Sequence, residues 1–369
     1  DQGTYTFHTN DGDQALILSN VVSSDPSASY SKTVPLAFHH GTFANGGDPY
    51  SDGSVSVAAS NGHVYSDTAA GTYTWGTLDS VSYATTSTTY TWTPPGTVTG
   101  ADVLMVAGGG GGSDSNGGGG GAGGLVFNAS QTLSGTKTIV VGAGGTKGIS
   151  WHDSGTFAEP GGNTSFTGLE TAIGGGAGTQ YTNNNDSGTR RNGGSGGGAA
   201  GSSDNDLDSG GTGTSGQGNA GGGGKRYSGG GGGGAGGAGG DGVYGGDSGS
   251  GGVGLDYSST FGTTYGEDGW FAGGGAGAKG GTASGGKGGG GDGGGATGSS
   301  RVAAQVHTGG GGSGGDGTTY PNNDGGSGIV LMNLPNLTFN VPSQVYDNTK
   351  MITVSNIPSG TSTVGKIYK

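Results

Sequence analysis

The chain contains no cysteine, so disulfide frameworks, thiol catalysis and cysteine-ligated zinc are all excluded. Extracellular eukaryotic proteins of 369 residues usually carry disulfides, and their absence favours a virus, a phage or a bacterium as source. Positive charge is also scarce: 13 Lys and Arg stand against 26 Asp and Glu, for a formal charge of −13. That balance argues against nucleic acid, an anionic membrane surface or any polyanion as partner. No apolar stretch reaches 18 residues and no charged-then-apolar leader is present, so membrane insertion through a helix is not expected. The first residue, Asp1, is not Met, and the numbered chain is expected to be processed or cut from something longer. No segment shows a convincing helical period.

What the chain has in excess is glycine. All but 13 of its 100 glycines fall between Gly108 and Gly328, against roughly 7% in ordinary proteins. Such a segment has too few side chains to fold by burying them, and glycine loses more conformational entropy on ordering than any other residue. If the runs are ordered, backbone must order them. Helix is disfavoured by about 1 kcal/mol per glycine relative to alanine, and strand interiors leave nothing to pack. The remaining extended state is a polyproline-II-type helix of about three residues per turn, whose outward N–H and C=O groups need partners on neighbouring helices. Runs such as Gly108–Gly112, Gly117–Gly121 and Gly229–Gly234 put glycine on every face rather than on one. The expectation is a lattice of parallel and antiparallel polyglycine-II helices, assisted by weak Cα–H···O contacts.

The remainder reads as β. Thr4–His8, Ala15–Leu18, Ser54–Val57 and Thr72–Trp75 alternate or form short apolar runs between Gly, Asn and Asp turns, which predicts a sandwich or jelly-roll-like module over residues 1–84. Thr89–Thr93 alternates, and Ala101–Val106 is an apolar strand that empties into Gly108. The same joint recurs at Thr138–Gly142, Thr171–Gly174 and Trp270–Gly273, and in reverse where Gly328 passes into Ile329–Met332. Apolar strands at the base of the glycine region are expected to form a small sheet, giving a glycine-rich unit over residues 85–332. Residues 333–369 hold two or three further strands, Leu337–Val341, Met351–Val354 and Val364–Tyr368, too few to stand alone. They are read as the start of an incomplete or inter-chain domain. The fold class is therefore mainly β with a polyglycine-II helix bundle and essentially no α-helix.

The ordered anchors YTWTPPGTVTGADVLMVAGGGGG, GGGGGAGGL, TIVVGAGG, GGNTSF, TAIGGGAG, WFAGGGAGAKGG, HTGGGGSGGDG and GGSGIVLM resemble the glycine-rich domain of phage tail-fibre adhesins and of surface or fibre proteins of large DNA viruses. The resemblance covers residues 85–332. It implies a sandwich of polyglycine-II helices whose connecting loops contact the host surface, and a non-enzymatic fibre or spike component at the virion surface or outside the cell. Implied partners are other fibre or virion subunits, including copies of the same chain, and a host surface glycan or protein. A purely structural filament or virion-decoration role is the alternative; an ice-binding protein is a lesser one, because threonine is scattered rather than ranked on a flat face.

Candidate contact residues are the side chains concentrated between the runs: Trp151, His152, Tyr181, Asn183, Asn184, Arg190, Arg191, Tyr257, Tyr265 and Trp270. Loop aromatics, Tyr227 and Tyr244 among them, are read equally well as sugar-stacking groups or as plugs at the lattice edge. Asp204, Asp206 and Asp208 form D-x-D-x-D, a possible calcium loop, although Ser215 stands where a calcium loop of the EF-hand kind needs Glu; otherwise no cofactor is expected. Gly281–Lys287 approaches a phosphate-loop pattern, with Gly288 in place of the required Ser or Thr. The histidines His8, His39, His40, His63, His152 and His307 lack metal-ligand spacing, and no nucleophile-elbow context is readable outside the glycine tract. Asn128, Asn163, Asn185 and Asn336 begin glycosylation sequons that composition alone accounts for.

Overall fold

The computed structural model describes residues 29–31, 36–40, 63–67, 71–74, 77–94, 96–149, 156–180, 189–202, 208–278, 283–293, 302–315, 323–334 and 338–340. The strands expected at Thr4–His8, Ala15–Leu18, Ser54–Val57, Met351–Val354 and Val364–Tyr368 lie outside the described residues. In chain order the strands are β1 (Ser29–Ser31), β2 (Leu36–His39), β3 (His63–Asp67), β4 (Gly71–Thr74), β5 (Thr77–Ala84), β6 (Ser87–Thr93), β7 (Val98–Val106), β8 (Leu125–Leu133), β9 (Lys137–Gly142) and β10 (Ser165–Phe166). They continue with β11 (Leu255–Asp256), β12 (Trp270–Phe271), β13 (Ile329–Asn333) and β14 (Thr338–Asn340). Among the described residues a single helical turn, α1 (Ser258–Phe261), interrupts an otherwise β and extended fold.

Two four-stranded sheets make the base. One runs β10-β9-β6-β5 and the other β2-β13-β7-β8, every pairing antiparallel. β7 leads into the first glycine run and β13 leaves the last, and the two strands pair directly, Val106 opposite Ile329 and Leu104 opposite Leu331. The chain thus enters and leaves the glycine region side by side. β6 buries every second residue, Thr88, Tyr90 and Trp92, as its alternation requires.

Facing side chains of the two sheets build one core: Tyr90, Trp92, Ile139, Val141 and Phe166 from one, Phe38, Val103, Met105, Val330 and Met332 from the other. Phe38 meets Tyr90 and Trp92 edge-on, with ring centroids 5.2 and 6.4 Å apart. The second sheet is buried on its outer face too, where Leu104, Val106, Leu125, Ile329 and Leu331 pack under Phe261 and Phe271. Burial on both faces explains why Val103–Val106 and Ile329–Met332 are unbroken apolar runs rather than alternating ones. β2 and β5, both before residue 85, complete these sheets, and β1 pairs with β14.

Above the base the glycine runs bond mostly to the backbone of neighbouring extended segments. In Ala107–Ser113, Gly108 and Gly111 donate to the carbonyls of Gly162 and Glu159, Gly109 and Gly112 to Gly326 and Asn323, Gly110 and Ser113 to Gly121 and Gly118. Its carbonyls accept on the same period: Gly109 and Gly112 from Gly145 and Gly148, Gly108 and Gly111 from Gly175 and Gly178, Gly110 and Ser113 from Gly312 and Gly315. Each direction therefore recurs every third residue, with no bond inside the run, and six segments surround one. This is the hydrogen bonding of packed three-residue-per-turn extended helices, the polyglycine-II arrangement. Gly117–Gly124 is enclosed in the same way, donating to runs around Gly312, Gly176 and Gly230 and accepting from runs around Gly110, Gly198 and Gly275.

The need for glycine here is spatial. A Cβ on Gly110 would lie 2.1 Å from the carbonyl oxygen of Gly176, and one on Gly232 would lie 1.9 Å from that of Gly120. A net hydrogen bond contributes about 1 kcal/mol while ordering one residue costs about 1–2 kcal/mol. A lone run is therefore unstable, and only a run bonded on all sides can hold.

Candidate functional site

The joints between runs and strands fix two ends of the lattice. Ala107 follows β7, Gly124 precedes β8, Ala143 follows β9 and Gly328 precedes β13, so these residues mark the base end. The opposite, distal end carries the turn Asp114–Asn116 and the chain ends that flank residues 150–155, 181–188 and 203–207. Gly201 donates to the carbonyl of Asn116 and Tyr227 to that of Ser202, which draws the turn at Lys225–Ser228 to the same end. A second turn, held by Gly246 donating to Val243 and Val243 to Asp247, sits beside it through Ser228 Oγ, which donates to the Gly246 carbonyl at 3.1 Å.

The contact residues proposed from sequence do not gather in one place. Trp151, His152, Tyr181, Asn183 and Asn184 lie outside the described residues, but Ile149, Gln180 and the other described residues flanking them are distal. Arg190 and Arg191 run down the flank. Arg190 Nη1 donates to Glu159 Oε1 at 2.6 Å and its guanidinium stands 5.2 Å from the Phe157 ring centroid; Arg191 Nη1 donates to the Ser209 carbonyl at 3.0 Å. Their own carbonyls are lattice acceptors, from Ala177 and Gly197.

Tyr257, Tyr265 and Trp270 lie at the base end instead. Tyr257 and Tyr265 pack against the core on the outer face of the second sheet, and Tyr257 stands 5.1 Å from Phe127. Burial pushes its phenol above the ordinary tyrosine range. Trp270 in β12 pairs with Asp256 and carries Lys287 Nζ 4.7 Å over its ring.

Gly281 and Thr282 of the phosphate-loop pattern lie outside the described residues. Just after the pattern, the N–H groups of Gly288 and Gly289 both donate to Glu267 Oε2, at 2.6 and 2.9 Å, so a carboxylate of this chain takes those two donors. Of the acidic triplet, Asp204 and Asp206 lie outside the described residues, while Asp208 bridges to Gly224 through backbone bonds. Among the described residues no group of three His, Cys, Asp or Glu is arranged to hold a metal ion, and no helix is long and apolar enough to cross a membrane. Of the sequons, Asn163 Oδ1 accepts from Gly174 N–H at 2.8 Å, whereas Asn128 Nδ2 is buried without a hydrogen-bond partner. Asn185 and Asn336 lie outside the described residues.

Sequence reasoning overlooked two groupings. Arg226 lies between the rings of Tyr227 and Tyr244, 5.6 and 5.0 Å from their centroids, and donates to the Tyr244 hydroxyl. The adjacent residues Arg226 and Tyr227 could have flagged the turn, but Tyr244 lies too far along the chain for its sequence position to indicate the contact. His39 and His307 stack at 4.1 Å, with His40 Nδ1 3.1 Å from Thr88 Oγ1 and His307 Nδ1 3.1 Å from Ser327 Oγ. No spacing rule predicts a pair separated by most of the glycine region.

Comparison with curated proteins finds no match. A family model described as a glycine-rich domain matches residues 85–334, which span both four-stranded sheets from β6 onward, the lattice and its return strand β13. The chain belongs to the glycine-rich domain family.

Proposed function

We propose that the chain is a non-enzymatic display scaffold, a fibre or spike component of a virus or phage that attaches to a host surface through loops at the distal end of its lattice. The observation that carries this reading is the separation of ends. Segment after segment of backbone-bonded lattice returns to the base, while the polar and aromatic insertions at residues 150–155, 181–188 and 203–207 begin and end at the distal side. Specific binding needs side chains that fill pockets and make directed hydrogen bonds, and the lattice interior offers almost none. A scaffold held mostly by backbone bonds can tolerate changes of loop sequence without losing them. Other fibre subunits, copies of this chain and a host glycan or protein are the partners of this reading, at the virion surface or outside the cell.

The test is attachment of labelled full chain to host cells, with Trp151→Ala and Tyr181→Ala as loop variants. Retained folding with weakened attachment supports display. Equal attachment by both variants, with binding abolished by a change in the β strands before residue 85, places the adhesive site elsewhere. Burial of these loops between identical subunits on the particle would favour the structural alternative, an assembly element without receptor binding.

A further inference from the structure

We propose that Tyr227, Arg226 and Tyr244 form a carbohydrate-binding subsite at the distal end, in which the apolar face of a pyranose ring lies on an exposed tyrosine while Arg226 donates to its hydroxyl or carboxylate oxygens. This rests on the display reading and names a ligand class for it.

Three observations point to the site. The tyrosine rings stand on different turns yet share one guanidinium, and both are open to solvent, Tyr227 at 41% and Tyr244 at 49% exposure, with Val243 beside them at 57%. Two flat apolar surfaces with hydrogen-bonding groups at their rims suit a sugar, whose ring has an apolar C–H face and a belt of oxygens. The guanidinium carries five donors in a planar fork, and one of them is directed at the Tyr244 hydroxyl, which leaves others for a ligand oxygen.

The backbone supplies the third observation. Lys225 and Ser228 exchange backbone hydrogen bonds around the two-residue turn Arg226-Tyr227, and Tyr227 sits at φ +64°. Left-handed backbone costs a bulky residue on the order of 1 kcal/mol and costs glycine nothing. The neighbouring turn meets the same need with glycine, Gly245 (φ +57°), whereas this one places a bulky aromatic there; of the positive-φ non-glycine residues among those described, Tyr227 is the only tyrosine. Its side chain is 41% exposed, with the Arg226 guanidinium over its ring. Backbone strain concentrates at binding and active sites, and here it falls on an exposed aromatic.

The neighbouring carboxylates limit the charge of the ligand. Asp208 lies in the strand segment bridged to Gly224, and Asp241 Oδ1 accepts from Gly223 N–H, so the basic turn is set among acidic residues. A single sugar carboxylate can be met by Arg226, whereas a polyanion would be repelled by the chain as a whole.

The experiment is an array of immobilised hexose, N-acetylhexosamine and sialic acid oligosaccharides probed with labelled full chain, followed by host-cell attachment with the same protein. The variants are Tyr227→Gly, Tyr244→Ala and Tyr244→Phe. Tyr227→Gly and Tyr244→Ala are expected to weaken array binding about tenfold or more. Tyr244→Phe keeps the ring and is expected to lose less. Tyr227→Gly should leave the melting temperature unchanged or higher, because glycine relieves the positive φ; a purely structural tyrosine would lower it. Array binding that is equal in all variants overturns the subsite. So does a parent that attaches to cells yet binds no sugar, an outcome that leaves the display reading standing. A parent that binds neither sugars nor cells overturns both.

Discussion

The lattice and the base solve the same problem with opposite materials. In the base, side chains do the work: Trp92, Tyr90, Phe38 and Met105 are fully buried between two sheets, and backbone bonds run along ladders. In the lattice the side chain is what must be absent, and central runs such as Ala107–Ser113 and Gly117–Gly124 donate in three directions and accept from three more. The base gains stability from apolar area, about 25 cal/mol per Å². The lattice gains it from satisfied backbone and close Cα packing, so its stability should depend on the identity of single residues in a different way. Loss of volume should harm the base, and gain of volume should harm the lattice.

The largest expected effect is therefore a small addition in the lattice. Gly232→Val puts a branched side chain where even a Cβ would stand 1.9 Å from the Gly120 carbonyl oxygen, and backbone held by six neighbours has nowhere to move. We expect loss of soluble folded protein, read by expression yield and thermal melting. A variant that melts like the parent would mean the runs are not packed as described.

Next comes removal of volume from the base. Trp92→Ala empties a fully buried position and should cost about 3–5 kcal/mol in denaturant unfolding. The same experiment on Gly216→Ala probes a glycine with no atom near its would-be Cβ but with φ +80°. There the cost is dihedral alone, about 1 kcal/mol. The ranking Gly232→Val, Trp92→Ala, Gly216→Ala separates a glycine required by space from one required by backbone angle. A cost at Gly216 as large as that at Gly232 would remove the distinction.

A smaller effect should appear with pH, and only in the base. His40 is held below the ordinary histidine pKa of 6.5, first by burial and second by the charge of His39. A depressed histidine means that the unfolded chain binds more protons than the folded one below about pH 6.5. Its contribution is complete above that pH, and stability falls as pH drops through 6.5 toward the folded value. Comparing melting temperatures at neutral and mildly acid pH for the parent and His40→Asn checks this; the variant should lose less on acidification.

How much of this was readable in advance follows from the same contrast. The joints at Val106–Gly108, Val141–Gly142 and Gly328–Ile329 were legible because the apolar period stops abruptly where glycine begins. The alternation of Thr89–Thr93 was legible, and β6 buries Tyr90 and Trp92 on one face of it. The lattice was legible in kind, since polyglycine leaves few alternatives, but its neighbour table was not, because identical runs carry no information about which will adjoin. β2 was missed: Leu36–His39 is four residues long, and it is a strand because β13 offers an open edge. Tyr257 and Tyr265 were read as loop contacts, since a surface aromatic and an aromatic covering a sheet look alike in sequence; only the outer-face core places them. The Arg226 cluster was invisible for the same reason as the lattice neighbours, as it depends on which turns meet.

The smallest expected effect lies on the lattice flank, where a side-chain interaction overlays a backbone one. Arg190 Nη1 bonds Glu159 at 2.6 Å, but the two side chains are 38% and 51% exposed, so solvent screens the pair. The guanidinium over Phe157 adds a cation–π contact at an exposed site. What ties this segment to the lattice is the Arg190 carbonyl, which accepts from Ala177 N–H at 2.8 Å and survives any change of side chain. Arg190→Ala should then lower stability by less than about 1 kcal/mol, and the loss should shrink further as salt is added. Denaturant midpoints at low and high ionic strength measure both. A loss of several kcal/mol, insensitive to salt, would show that the flank is held by side chains after all, and that the backbone lattice does not extend to its own edge.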